Sequence, residues 1–200
     1  PAPAALDVAQ KRLAGAKQVR YHLATADDIP LRDGSQDFGY SLGVLHHVPD
    51  TAAALRSCIE KLKPGAPFLL YLYYRFDNRP WWFTLLWRMT DLARHIISRL
   101  PFPIRRAVTT AVAAGVYFPL ARMANIFERA GWNVSNLPLS AYRNASFYTM
   151  RTDALDRFGT RLERRFTRDE MRALMEASGL EQIVFREAEP YWVACGYRRA

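Results

Sequence analysis

The sequence predicts an α/β fold interrupted by a mainly helical insertion, and three observations predict it. Residues 37–74 carry a strand, helix, strand succession at βαβ spacing, which gives parallel neighbours with a helix on one face. Residues 166–197 carry a capped helix and two closing strands. Between them, residues 75–160 hold apolar positions at helical spacing. The chain is expected to divide into a partial α/β core (1–74), a helical insertion (75–160), and a helix with a strand pair (161–200) that completes the core.

Each element has a local cause. Residues 4–14 have helix-forming composition and stop at Gly15. Residues 19–24 read as a strand, and Ile29-Pro30 with Arg32-Asp33-Gly34-Ser35 reads as a polar turn. Residues 37–44 alternate and then turn apolar, as a second strand does. Asp50 is the expected N-cap of a helix over 51–62, which Lys63-Pro64-Gly65 ends. Residues 68–74 form a continuous apolar, aromatic-rich run, the pattern of a strand buried on both faces.

In the insertion, Trp82, Leu85, Leu86, Met89, Leu92, Ala93, Ile96 and Leu100 share one helical face, and Arg88, Asp91, His95, Ser98 and Arg99 the other. A second helix is expected from about Arg105, kinked or broken at Pro119, and a third over 120–130. Thr167 and Glu170 make a T-x-x-E capping box for a helix that ends at Gly179. Strands over 180–186 and 191–197, joined by a turn at 187–190, close the chain.

Composition narrows the function classes. Half of the 200 residues are apolar and 13% aromatic, enough for a sizeable core. Cys58 and Cys195 show neither disulfide nor zinc spacing, so two reduced thiols and no metal site are expected. The first residues show no basic-then-apolar leader, and the longest uncharged run in the insertion, residues 107–121, is shorter than the roughly 18 to 20 residues a membrane span needs. A cytoplasmic setting is the expectation. Net charge is +9, with nine arginines in residues 75–130. They are spread over an amphipathic helix without an aromatic platform or a known binding motif, so nucleic acid is not an expected partner.

Four short segments in register carry a resemblance: Ala24-Thr25-Ala26-Asp27-Asp28-Ile29-Pro30-Leu31, Ser35-Gln36-Asp37-Phe38, Gly43-Val44-Leu45-His46-His47-Val48-Pro49-Asp50 and Leu62-Lys63-Pro64-Gly65. Their order and spacing are similar to successive motifs of the class I S-adenosylmethionine-dependent methyltransferases that act on small molecules. The resemblance implies a Rossmann-like doubly wound sheet ending in an antiparallel strand, here lacking the family's first two strands and carrying the insertion before the last two. Those strands bear the family's glycine-rich loop and the acid for the ribose hydroxyls. The resemblance therefore also implies a fragment that binds the cofactor poorly by itself.

S-adenosylmethionine is the implied cofactor, and the resemblance places its site. Where the family has an acidic side chain for the adenine amino group, this chain has Thr25, whose oxygen can accept the same hydrogen bond without charge assistance. Ala26 would offer its backbone N–H to the adenine ring, with Asp27 as a second polar neighbour. Ser41, Leu42 and Gly43 would lie against the methionine part, Gly43 permitting close approach.

One of His46 and His47, just beyond that strand end, is the candidate general base, since imidazole titrates near neutral pH. Tyr74, Arg75, Tyr148 and Arg151, with Tyr73, Tyr142, Arg143 and Asp153 nearby in sequence, are the candidate acceptor-binding groups. The acceptor is expected to be a saccharide, lipid or secondary metabolite. Trp81, Trp82 and Trp87 on an arginine-bearing helix leave two readings of residues 81–100, a lid over the acceptor or a peripheral contact with anionic lipid. A non-catalytic binding module is the remaining alternative.

Overall fold

A computed structural model describes residues 3–188 and 190–200, and the chain divides into two compact units, Pro1–Tyr73 with Arg168–Ala200 and Tyr74–Thr167. The second unit thus extends past the expected residue 160, to Thr167, through a non-helical stretch that follows Gly159. In chain order the elements are α1 (Pro3–Arg12), β1 (Gly39–Leu42), α2 (Thr51–Glu60), β2 (Pro67–Tyr71), α3 (Trp81–Ile97), α4 (Phe102–Val112), α5 (Phe118–Arg129), α6 (Phe147–Gly159), α7 (Arg168–Ala177), β3 (Leu180–Phe185) and β4 (Val193–Arg198). The turn expected at 187–190 includes Glu189, which lies outside the described residues.

In the first unit the strands form one sheet of order β1-β2-β4-β3. β1 and β2 run parallel, with Gly39 opposite Phe68 and Leu42 opposite Tyr71, because α2 carries the chain back between them. β4 is antiparallel to both β2 and β3. Gly39 is where it is because a Cβ there would sit 2.7 Å from the Phe68 ring. Leu55, Leu70, Leu72, Met171, Met175 and Leu180 are all fully buried, each such side chain contributing about 1.5–3 kcal/mol.

Asp50 caps α2 as expected, accepting from the Ala53 N–H at 2.9 Å. At the other end of α2, the Gly34 N–H and the Arg198 guanidinium both donate to the Glu60 carbonyl at 2.9 Å, satisfying a group the helix itself leaves open.

Two strand expectations are corrected. Residues 19–24 form no strand; Val19 and Leu23 are exposed, and Tyr21 donates its hydroxyl to the Ala9 carbonyl of α1 at 3.4 Å. A strand persists only beside another that takes its ladder hydrogen bonds, and among the described residues no neighbour is present there. β2 alternates instead of being buried on both faces: Phe68 and Leu70 are buried, while Pro67, Leu69 and Tyr71 are half-buried. Tyr74 lies beyond it, in a separate parallel bridge with Phe166.

The second unit is helical. α4 begins at Phe102, directly after Pro101, and continues through a π-helical turn, Ala113–Tyr117, into α5, giving one 28-residue helix, Phe102–Arg129. Pro119 therefore neither breaks nor ends the helix, contrary to expectation. A proline lacks the N–H and crowds the carbonyl four residues back, here Gly115, and the widened turn accommodates both. Among the described residues this is the one helix long and apolar enough, by length and composition, to cross a membrane. Its stripe Ala113, Tyr117 and Ala121 packs on Met150, Ala154 and Phe158 to form the unit's apolar core. α6 starts at Ser146, whose Oγ accepts from the Thr149 N–H at 3.1 Å.

α3 turns a line of large apolar residues outward. Arg94 and Ser98 are buried, whereas Trp81, Leu85, Met89, Leu92 and Ile96 are 51% to 77% exposed. The cause lies at the end of α6, where the backbone needs donors. Arg94 Nη1 reaches the carbonyls of Thr160 and Arg161, each at 3.0 Å, while its Nε donates to Asp91 at 2.7 Å. Arg157 donates to the Thr90 hydroxyl at 3.1 Å. Arg94 and Thr90 find their partners on the inward side, where Ala93 and Ile97 pack on the unit's core, so the line from Trp81 to Ile96 points out.

Candidate functional site

At the carboxyl end of β1 the chain turns at Gly43, whose φ of 70° is what requires glycine; its N–H donates to the Tyr71 carbonyl at 3.0 Å. A Cβ there would meet the Tyr71 ring at an ordinary 3.8 Å, so it is the positive φ, not crowding by the protein, that favours glycine. Ser41 is half-buried and Leu42 exposed at the strand end.

A short 3₁₀ turn, Leu45–His47, follows and leads into α2. The Thr51 hydroxyl donates to the Leu45 carbonyl at 2.9 Å, tying the turn to the helix start. The two candidate bases separate here. His46 is 0% exposed, its ring stacked 3.8 Å from Tyr73. His47 is half-buried, its ring 4.0 Å from that of His46. Of the pair, only His47 offers a surface to an approaching acceptor.

Thr25 to Asp28 form a tight turn, with Thr25 and Asp28 bridged. The Thr25 hydroxyl donates to the Asp27 carboxylate and holds it below the usual carboxylate range. With its proton so engaged, the Thr25 oxygen keeps its lone pairs for an incoming donor, which is what an adenine amino group requires. Asp27, Asp28 and Ile29 line an open cleft of about 290 Å³ with Ala53, Arg56, Ser57, Glu60 and Lys61 of the α2 region. The structure thus sets this acidic turn against α2, while Ser41, Leu42 and Gly43 end the sheet beside Tyr71.

The acceptor candidates fall into two groups within the helical unit. Tyr74 packs its ring 4.7 Å from Phe76, and Arg75 donates to the Arg165 carbonyl at 2.9 Å. Tyr148 is exposed on α6, with the Arg151 guanidinium 5.4 Å over its ring. Tyr142 donates to Asp153, whose carboxyl burial pushes up and the neighbouring Asp156 pushes further.

A polar node that sequence reading missed lies in the same unit. Glu163, its side chain 1% exposed, accepts from Arg157 at 2.6 Å and Arg165 at 2.8 Å. Arg165 also stacks over Phe76 and Trp87. The signal available in sequence was the density of arginines around one acid in residues 157–165, which does not tell a buried node from a solvated run. No group of three or more His, Cys, Asp or Glu side chains among the described residues is placed to hold a metal ion.

Comparison with known proteins bears on this geometry. Residues 1–70 match the family described as Methyltransferase domain. Among solved structures, the chain is similar to a possible exported protein from Bordetella parapertussis, at 17% identity and a TM-score of 0.53, over 99% of this chain and 51% of that one. It is also similar to a SAM-dependent methyltransferase from Methanosarcina mazei (17% identity, TM-score 0.52, 98% of this chain and 78% of that one). A third likeness is to an O-methyltransferase family protein from Burkholderia thailandensis (12% identity, TM-score 0.51, 97% of this chain and 41% of that one). The chain spans about half the length of the first of these. Residues 1–70 thus carry a methyltransferase-domain likeness, and the solved structures show that the fold as a whole is Rossmann-like.

Proposed function

We propose that this chain serves S-adenosylmethionine-dependent methyl transfer to a small-molecule acceptor, a saccharide, lipid or secondary metabolite. What carries the reading is that the matched segment, residues 1–70, contains the Thr25–Asp28 turn, the end of β1 and both histidines. S-adenosylmethionine is the cofactor that the family implies, and it supplies an electrophilic sulfonium methyl. The residues present fit part of it: the Thr25 oxygen can accept from the adenine amino group, and the Gly43 turn leaves the end of β1 open beside Tyr71.

His47 is assigned the proton of a hydroxyl acceptor, because it is the less buried of the two histidines; His46 supports the turn by stacking on Tyr73. Tyr74, Arg75, Tyr148 and Arg151 are assigned to the acceptor. Among the described residues no glycine-rich loop and no ribose-binding acid accompany the Thr25 turn, so these 200 residues are expected to hold the donor weakly and to turn over slowly.

The test is calorimetric titration with the methyl donor, followed by a screen of hydroxyl acceptors. His47→Gln is expected to cut turnover by about 10²- to 10⁴-fold with donor affinity unchanged. His46→Gln is expected to lower thermal stability instead. Unaltered turnover in His47→Gln removes its role as base. Donor binding without turnover on any acceptor favours the non-catalytic binding module, and absence of donor binding at millimolar concentration overturns the cofactor assignment.

A further inference from the structure

We propose that the helical unit docks onto an anionic lipid surface, laying the outward stripe of α3 into the acyl boundary and seating a headgroup phosphate in the pocket lined by Ser98, Arg99 and Arg161. The stripe consists of Trp81, Leu85, Met89, Leu92 and Ile96, spaced three or four residues apart along a helix roughly 25 Å long. Large apolar side chains standing alone on a surface are ordinary. A continuous line of five along one helix is the pattern of an interfacial helix or a partner contact.

Rotation inward does not relieve this exposure. Arg94, 4% exposed, donates from the opposite face to the carbonyls of Thr160 and Arg161, so turning α3 would break both hydrogen bonds and leave those carbonyls without their donor. The stripe is thus fixed outward by polar bonds made elsewhere on the same helix.

Charge selects the occupant. Residues 74–167 hold 15 arginines, no lysine and six carboxylates, so the whole net charge of +9 resides in this unit. Two copies brought together through this face would repel; a negative surface is complementary. The pocket makes the same point independently. It has a volume of about 390 Å³, lies at the carboxyl end of α3, and has no carboxylate in its lining. Arg94 and Arg105 stand behind it, donating to the backbone carbonyls of Arg161 and Ser98. Arg105 also keeps a buried Nε–H without an acceptor among the described residues. An apolar stripe along α3 and a cationic pocket at the carboxyl end of the same helix suit a lipid, which has both parts, better than a free phosphate, which has one.

The experiment is sedimentation of the full chain with phosphatidylcholine vesicles, with and without phosphatidylglycerol, in the absence of any methyl donor. Binding is expected only to the anionic vesicles and is expected to weaken as salt rises. Leu92→Glu is expected to lower the bound fraction about tenfold or more, and Arg161→Glu about tenfold. Both positions are exposed, and circular dichroism checks that the fold is retained. Equal binding to both vesicle types overturns the proposal, as does failure to bind at low salt or insensitivity to Leu92→Glu. A dimer in analytical ultracentrifugation that Leu92→Glu dissociates, without vesicle binding, overturns it by making a second copy the occupant. Because no donor is present, the result is independent of whether methyl transfer occurs.

Discussion

The sheet-bearing unit holds 13 basic and 13 acidic residues, whereas the helical unit holds 15 arginines against six carboxylates. Their interiors differ in the same sense. Leucine and methionine fill the first, around Leu55, Leu70, Met171 and Met175; the second is built on alanines, Tyr117 and Phe158, with the buried Glu163 node beside them. A sheet with a helix on its face buries enough apolar surface to leave charge outside. Narrow helix contacts through alanine bury less, and here directional bonds from arginine to carboxylate and backbone carbonyl hold the helices in place. The contrast teaches that one unit is specified by apolar volume and the other by polar partners, and that the second accordingly leaves apolar surface facing out.

Three measurements break or sharpen that contrast. The largest effect is expected for Glu163→Ala, which leaves Arg157 and Arg165 uncompensated in a desolvated site; the loss is about 3–5 kcal/mol, read by urea denaturation. A cost below about 1 kcal/mol, the range of exposed pairs, would show that the node does not hold the helical unit.

Next is the alkaline limb. Burial pushes the Tyr117 phenol up to about 12 from the ordinary 10.0, with Arg157 pulling it back and Asp153 adding to the rise. The folded value lies above the unfolded one, so the folded state holds the extra proton. Its contribution is whole below pH 10 and is lost as pH climbs toward 12, about 2–3 kcal/mol in all. Melting temperature against pH from 9 to 12 should fall less steeply in Tyr117→Phe, and absorbance at alkaline pH should lose its last tyrosine step.

The smallest effect is expected in the sheet unit, where Asp50→Ala removes one helix cap. About 1 kcal/mol should be lost there, and thermal melting should show the helical unit untouched.

Much of the sheet unit was legible in advance because its signals are local. Asp50 and Pro64-Gly65 bracket α2 through capping and turn chemistry, and the parallel pairing of β1 with β2 follows from the helix between them. The span 19–24 was not legible: its composition suits a strand, but a strand exists only by pairing, and no residue within the span reports a partner. The site divides in the same way. The resemblance singled out Thr25, Gly43 and the two histidines, but it could not say that His46 is shut away against Tyr73 while His47 is only half-buried.

By itself the amino-acid order determined where helices start and stop, how apolar positions recur along them, and which segment carries the methyltransferase likeness, since all of these depend on neighbours within a few residues. Tertiary structure alone decided which side of each helix turns inward. Periodicity marks the apolar positions of α3 without saying which way they turn; that was set with the help of carbonyls at Thr160 and Arg161, some 66 residues away, to which Arg94 donates.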